Sequence, residues 1–427
     1  MQFFQKIISC SLSPNTEMDD IWEALKMILT PWRWKRGEAI IKVGAWFRRY
    51  FDTDNIVLFN SGRAALLAIL KAFNIGEADE VLIQAFTCVA VPNSIIWAGA
   101  KPIYVDIDQS LNLDPTNLEA KITKRSRAVI VQHTFGTPAQ IDKIVKIAKR
   151  HKLIVIEDCA HSLGGEWQGQ KLGTLGDAAF FSFGRDKVVS SIWGGAVIIN
   201  AKCKAQSAKL RALQEGLSYP SFFWIFQQLL HPLAFSLILM SYNWPPLWRR
   251  FNNHRQTVDI TIGKSFLVIL QKLHLLSVPV YPEEKIGGQP RIFPAKFPNA
   301  LASVLLNQLA KLNRFNQKRR VISQYYLVRL KKQKQITLIS PAPAGYLRLP
   351  ITVRQPQKYL QRAKKVGVLL GRWYHHVIDP EGVDLQTIGY RLGSCPKAEA
   401  AAETILNLPT LISLHQAQRV LAAVTQK

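Results

Sequence analysis

The chain has 427 residues, 48% of them hydrophobic and 20% charged, which excludes a disordered polymer and leaves room for two associated domains. Its 55 Lys and Arg against 29 Asp and Glu give a formal charge of +26, a field that favours phosphorylated substrates or anionic lipid head groups. The charge is scattered, with no finger, RNP-like or helix-turn-helix signature, so nucleic acid is not an expected partner.

The N-terminal segment (1–55) opens with an apolar run, Met1 to Cys10, too short and too poor in basic residues for a secretory signal. The five cysteines, Cys10, Cys88, Cys159, Cys203 and Cys395, are odd in number and form no CxxC pair. This argues for a reducing compartment, with neither a disulfide framework nor a zinc site. A cytoplasmic protein is expected.

Over residues 56–200 short apolar runs alternate with helical stretches. Val57–Phe59 precede a helix at Ala64–Phe73, Val81–Ile83 precede Ala90–Trp97, and Pro102–Val105 precede Asn117–Lys121. Ala128–Val131 precede Ala139–His151, and Leu153–Ile156 end at Glu157 and Asp158. The alternation predicts an α/β domain with a mostly parallel sheet flanked by helices. Ligands of such sheets gather at the carboxyl ends of the strands, where Ser61, Gly62, Thr87, Asp158 and His161 fall.

Residues 201–290 differ in character, and from Gly216 to Trp248 there is no Asp, Glu, Lys or Arg. Pro232 interrupts the apolar core Phe222–Met240, and Pro245, Pro246, Arg249 and Arg250 close it. The pattern predicts two short helices meeting at Pro232 rather than a spanning helix. Peripheral membrane contact through residues 218–248 and a buried helical insertion or dimer surface are both open readings.

Residues 291–427 begin with a long amphipathic helix from about Asn299 to Lys332. Its Lys311, Arg314, Lys318, Arg319 and Arg320 read as a solvated face. Beyond Pro341 come a strand over Tyr346–Val353, a helix over Pro356–Leu370 and a helix over Lys397–Leu406, which together predict a smaller α+β domain.

The stretch with most chemistry is Val155-Ile-Glu-Asp-Cys-Ala-His161, followed by Gly169-Gln-Lys-Leu-Gly173, Gly176-Asp177, Phe181-Ser-Phe-Gly-Arg-Asp-Lys187 and Gly194-Gly195. Taken singly, Asp158 reads as a cap or ion-pair partner, Lys187 as a surface residue, Ser61 as an N-cap and His161 as a structural histidine. In this order and spacing, they resemble the DegT/DnrJ/EryC1/StrS sugar aminotransferase family, whose motifs run V-I-E-D-A-A-(Q/H), G-x-x-x-G-x-x-G-D and F-S-F-x-x-x-K before a G-G turn. Asn60-Ser-Gly-Arg-Ala-Ala-Leu66, Ile103-Tyr-Val-Asp-Ile-Asp108 and Leu406-Asn-Leu-Pro409 extend the likeness, which runs from about Ile56 to Val424 apart from the apolar insertion.

The resemblance implies the aspartate-aminotransferase-like PLP-dependent transferase fold type I, with pyridoxal 5'-phosphate (PLP) as cofactor and its pyridoxamine form in the half-reaction. It implies that Lys187 carries the cofactor as a Schiff base and moves the proton, and that Asp158 pairs with the pyridine nitrogen. Ser61, Gly62 and Ser182 would hold the phosphate, and His161 would face the phenolic oxygen as a neutral imidazole. Arg63 replaces the family's usual Thr and could reach the phosphate, a sugar nucleotide or solvent. Cys88 aligns with the residue that stacks on the ring, with Phe86 two positions earlier. Pro294-Ala-Lys-Phe297 aligns where relatives read N-Y-R-M, whose Asn reaches the neighbouring protomer's phosphate.

A nucleotide-activated keto-sugar as substrate, glutamate as amino donor and a homodimer follow from the same likeness. A pyridoxamine-dependent sugar dehydratase of this fold and a non-catalytic membrane-associated scaffold are the alternatives. Retention of Lys187, where deoxygenating relatives carry His, favours amination.

Overall fold

Seven short apolar runs pair into one sheet in the computed structural model, which describes residues 7–242, 248–251, 257–339 and 346–425. They are β1 (Ile56–Phe59), β2 (Glu80–Gln84), β3 (Lys101–Val105), β4 (Ser126–Gln132), β5 (Ile154–Asp158), β6 (Ala178–Ser182) and β7 (Gly195–Ile199). Their spatial order is β1-β7-β6-β5-β4-β2-β3, and only β7 runs antiparallel to its neighbours. The periodicity did not mark β6 and β7 as strands, because both lie inside the motif-rich stretch.

Helix α1 (Met18–Ile28) and α2 (Glu38–Phe51) precede the sheet. The crossover helices are α3 (Gly62–Ala72), α4 (Ala90–Trp97), α5 (Pro115–Lys121) and α6 (Ile141–Arg150), and α7 (Lys204–Glu215) follows β7. Alternate residues of each strand point to opposite faces, so a sheet covered on both sides needs consecutive apolar residues. Ile83, Ile130, Ile156 and Phe180 pack with α3 on one face. Leu82, Val129 and Val155 pack with α6 on the other, where Leu58, Phe181 and Ile198 meet Val43 and Phe47 of α2.

The apolar stretch forms one helix, α8 (Phe222–Ser241), with Pro232 inside it, rather than two helices meeting there. An interior proline costs about 3 kcal/mol or more. Burial of Trp224, Ile225 and Leu229 against α1 and the following helices outweighs that cost, at roughly 1.5–3 kcal/mol per large apolar side chain. A hairpin of Trp248–Phe251 with Thr257–Ile260 and helix α9 (Ile262–Lys272) complete this region, Leu270 packing on Ala234 and Ile238 of α8. Pro245, Pro246 and Pro341, used above as boundaries, lie outside the described residues.

The long helix predicted over Asn299–Lys332 is divided into α10 (Asn299–Ala310) and α11 (Leu312–Leu330), joined at Lys311. The predicted solvated face is also corrected at two positions. The Lys311 ammonium is drawn into a carboxylate cluster, 2.8 Å from Asp19 and 2.9 Å from Asp20. Arg319 is buried and donates to the Val188 carbonyl at 2.9 Å and to Asn316. Arg314, Lys318 and Arg320 are exposed.

The C-terminal part contains an antiparallel sheet of β8 (Ile336–Leu338), β9 (Arg348–Val353) and β10 (Ile405–Pro409). Helices α11, α12 (Pro356–Lys365) and α14 (Leu414–Thr425) cover it, while α13 (Pro396–Thr404) leads into β10. Two predicted helices therefore stop short. Gly367, in the left-handed region at φ 71°, turns the chain after α12 so that Val368–Leu369 pairs with Ile8–Ser9. Leu406 belongs to β10, where it faces Ile351.

Candidate active site

Parallel strands end on one edge, and the candidate residues converge there because each follows or closes a strand. Asp158 closes β5 and Ser182 closes β6, while Ser61 and Gly62 follow β1. His133 and Phe135 follow β4. Lys187 lies in the turn between β6 and β7, its backbone N–H donating to the Gly184 carbonyl at 3.2 Å. Asn15, ahead of α1, reaches in and donates to the Lys187 carbonyl at 3.2 Å.

Lys187 Nζ lies 3.0 Å from His161 Nε2. His161 Nδ1 accepts the Phe135 backbone N–H at 3.3 Å, which leaves the hydrogen of a neutral ring on Nε2, directed at the lysine. Burial, then Lys187 and Arg348, hold the imidazole well below its ordinary pKa. The Phe135 ring lies nearly flat against it, centroids 5.8 Å apart.

Asp158 is buried and accepts the Ala160 N–H at 3.0 Å. Burial pushes its carboxyl up, opposed by that hydrogen bond, Lys187 and His133. At the start of α3, Ser61 caps the helix by accepting the Ala64 N–H at 3.1 Å, and its own hydroxyl hydrogen remains to be donated. Gly62 sits so close to Ser182 that a Cβ there would meet the serine Cβ at 2.8 Å and its Oγ at 3.1 Å. Ser182 is thereby pressed against a helix N-terminus, where backbone N–H groups and the helix dipole attract an anion.

Two sequence-predicted residues have other partners. The Arg63 guanidinium is paired with the fully buried Glu284, donates to the Pro279 carbonyl, and lies about 5.0 Å over the rings of Trp193 and Phe293. Cys88 lies in a two-residue parallel pairing of Thr87–Cys88 with Ile378–Asp379, which brings a C-terminal loop over this edge. Phe86 is fully buried and meets Tyr374 of that loop edge-on at 5.4 Å. Pro294–Phe297 lies along the end of β1, with Asn60 and Ala295 exchanging hydrogen bonds.

Three features of the site have roles that the motifs did not signal. Arg348, on β9, bonds the Asp186 carboxylate at 2.9 Å and stacks on Trp373 at 3.9 Å, so the C-terminal sheet grips the residue next to Lys187. Burial raises the Asp186 carboxyl, but Arg348 and Lys187 outweigh it and hold it below its ordinary value. Phe86 and Phe135 adopt left-handed backbone conformations, at φ 65° and 55°, which cost roughly 1–3 kcal/mol each and cluster at functional sites. Glu157, beside Asp158 in the motif, is fully buried and accepts the N–H groups of Gly173, Leu175 and Gly176 at 2.7–2.9 Å. It also meets His133 Nε2 at 3.2 Å, so the motif glutamate anchors the glycine-rich loop.

Residues 15–218 and 277–425 match the DegT/DnrJ/EryC1/StrS aminotransferase family. The chain belongs to this family. Among curated relatives, a GDP-perosamine synthase from Caulobacter vibrioides is 36% identical over 214 residues, covering 50% of this chain and 57% of that protein. The chain thus spans little more than half of that relative's length. A pleiotropic regulatory protein from Geobacillus stearothermophilus is 26% identical over 406 residues, 94% of this chain and 91% of its own. Among solved structures of the same fold, a Bacillus subtilis protein with bound pyridoxamine phosphate superposes with a TM-score of 0.68 at 20% identity, over 96% of this chain and 82% of its own.

Proposed function

We propose that this protein is a PLP-dependent aminotransferase that transfers an amino group from glutamate to a nucleotide-activated keto-sugar, in glycan or polysaccharide biosynthesis. The carrying observation is the Lys187 amine 3.0 Å from the neutral His161, beside the buried carboxylate of Asp158. The residues fit PLP: a buried carboxylate raised by desolvation gains from a cationic ring nitrogen, and a phosphate suits the crowded seat of Gly62 against Ser182.

When bound, the cofactor supplies the electron sink that lets a carbon beside nitrogen lose or gain a proton. Lys187 holds the cofactor between turnovers and carries the proton at its Nζ. Asp158 would pair with the ring nitrogen and favour its protonated form. Ser61, Gly62, Ser182 and the backbone N–H of Arg63 would take the phosphate, and His161 would face the phenolic oxygen as a neutral imidazole. Phe86 and Phe135 exclude water from this edge. The basic field of the chain suits a substrate carrying a diphosphate.

A C2 homodimer and a cytoplasmic location belong to the same proposal, the latter supported by five free cysteines. The test is incubation of purified protein with PLP, glutamate and a panel of keto-sugar nucleotides, with products read by mass. Amino-sugar nucleotides that require Lys187 are the expected products. No visible cofactor band, or a band unchanged by borohydride and by Lys187→Ala, overturns the proposal.

A further inference from the structure

Residues 219–276 fall outside both stretches that match the family, yet they form α8, a hairpin and α9 on its body. Helix α8 is long and apolar enough to cross a membrane by length and composition, but half of its apolar window is buried in the protein. Trp224, Ile225, Gln228, Leu229, His231 and Pro232 are sealed inside.

What remains is an apolar row whose ends face outward and whose middle, Phe226, Leu230 and Leu233, is half-buried against the body. Phe223, Phe226, Leu230, Leu233, Leu237 and Met240 follow one another at steps of three and four along a single helical stripe. The stripe is exposed at both ends, with Phe223 at 53%, Leu237 at 57% and Met240 at 72%. Helix α9 adds exposed Val268 and Ile269, and Leu273 follows at its end.

A second apolar surface adjoins the start of α8. Trp34 packs on Phe222 and Phe226, and Lys35 lies 4.4 Å over the Phe222 ring, which brings the turn at 31–36 against the helix. On that turn and on α1, Trp32 is 74% and Trp22 63% exposed, interleaved with exposed Arg33 and Arg36 and with Lys26, which pairs with Glu23 at 3.8 Å. Amphipathic tryptophans beside cations suit the head-group level of a bilayer.

The charge decides the occupant. From Gly216 to Tyr281 the one acidic residue is Asp259, against Arg249, Arg250, Arg255, Lys264 and Lys272. A second copy of the chain would bring the exposed Arg33, Arg36 and Lys272 against themselves, whereas an anionic surface complements them. We propose that α8, α9 and the tryptophan-bearing turn dock the protein on a bilayer containing anionic lipid, with α8 lying along the surface. The proposal is independent of the aminotransferase reading.

The test is flotation of the purified full-length protein with vesicles of phosphatidylcholine alone and of phosphatidylcholine mixed with phosphatidylglycerol. The protein should float with the anionic vesicles at low salt and be released by high salt. The double variant Leu237→Glu, Met240→Glu, which alters exposed side chains alone, should lower the floated fraction about tenfold while leaving the thermal transition in place. Protein that stays at the bottom with anionic vesicles at low salt overturns the proposal. So does a double variant that floats like the parent but loses a dimer in sedimentation velocity, since the surface would then belong to a second copy.

Discussion

The Nε2 atom of His161 lies 3.0 Å from the Nζ atom of Lys187, although the residues are 26 positions apart and β6 runs between them. The contact exists because β5 and β6 are parallel neighbours, so the turns after both open on the same edge. With Nδ1 taken by the Phe135 N–H, the hydrogen of the neutral His161 ring sits on Nε2, the atom that faces the reacting nitrogen.

Replacing that donor should be costly. His161→Phe is expected to lower kcat by about 10²-fold, the usual loss for one preorganised donor, while His161→Gln, which keeps an N–H in reach, should recover most of it. Steady-state kinetics, with the visible band of the bound cofactor as a second readout, check both. Equal rates for the two variants would place His161 in a packing role.

Gly62→Ala introduces a Cβ 2.8 Å from that of Ser182. Overpacking of this kind costs about 1–3 kcal/mol, offset by at most about 1 kcal/mol of helix propensity. A lower denaturant midpoint and roughly tenfold weaker PLP binding are expected, since a 1.4 kcal/mol change is about tenfold. Unchanged affinity, measured by titration with the cofactor, would separate this cradle from phosphate binding.

Glu157 is the acceptor for three backbone N–H groups of the glycine-rich loop. Glu157→Gln turns one acceptor into a donor facing donors, so about 3 kcal/mol of stability should be lost. Urea denaturation measures it, and hydrogen exchange at Gly173, Leu175 and Gly176 should accelerate together.

His161 and His231 are buried and held well below the ordinary histidine pKa, by desolvation first and then by neighbouring cations. The unfolded chain protonates both near about 6.5, so below that pH the unfolded state binds more protons and stability falls. Each should remove about 1.4 kcal/mol between pH 7.5 and 5.5. His231→Phe should flatten the slope by one such share, since both ring nitrogens of His231 lack hydrogen-bond partners among the described residues. Denaturation midpoints at the two pH values decide.

Legibility followed the range of the interactions. The helix at Ala90–Trp97 appears with the bounds the periodicity predicted, because its pattern is local. The helix predicted through Leu370 ends at Lys365, because Val368–Leu369 is claimed by a strand at Ile8–Ser9, 360 residues away in sequence. The predicted solvated face lost Lys311 and Arg319 for a similar reason. Their partners Asp19, Asp20 and the Val188 carbonyl are distant in sequence, and nothing near the two residues marks them as buried.

From order and spacing, the sequence determined the family likeness, and it was that likeness, not a legible strand, that set Ser182 and Lys187 beside Asp158, because β6 carried no strand pattern of its own. Only the tertiary structure decided what surrounds that cluster. It set His161 on the lysine, brought Arg348 from the C-terminal sheet to Asp186, gave Arg63 to Glu284, and carried α8 unbroken through Pro232. Each of these depends on packing between segments far apart in the chain, where burial and charge pairing override what the neighbouring residues prefer.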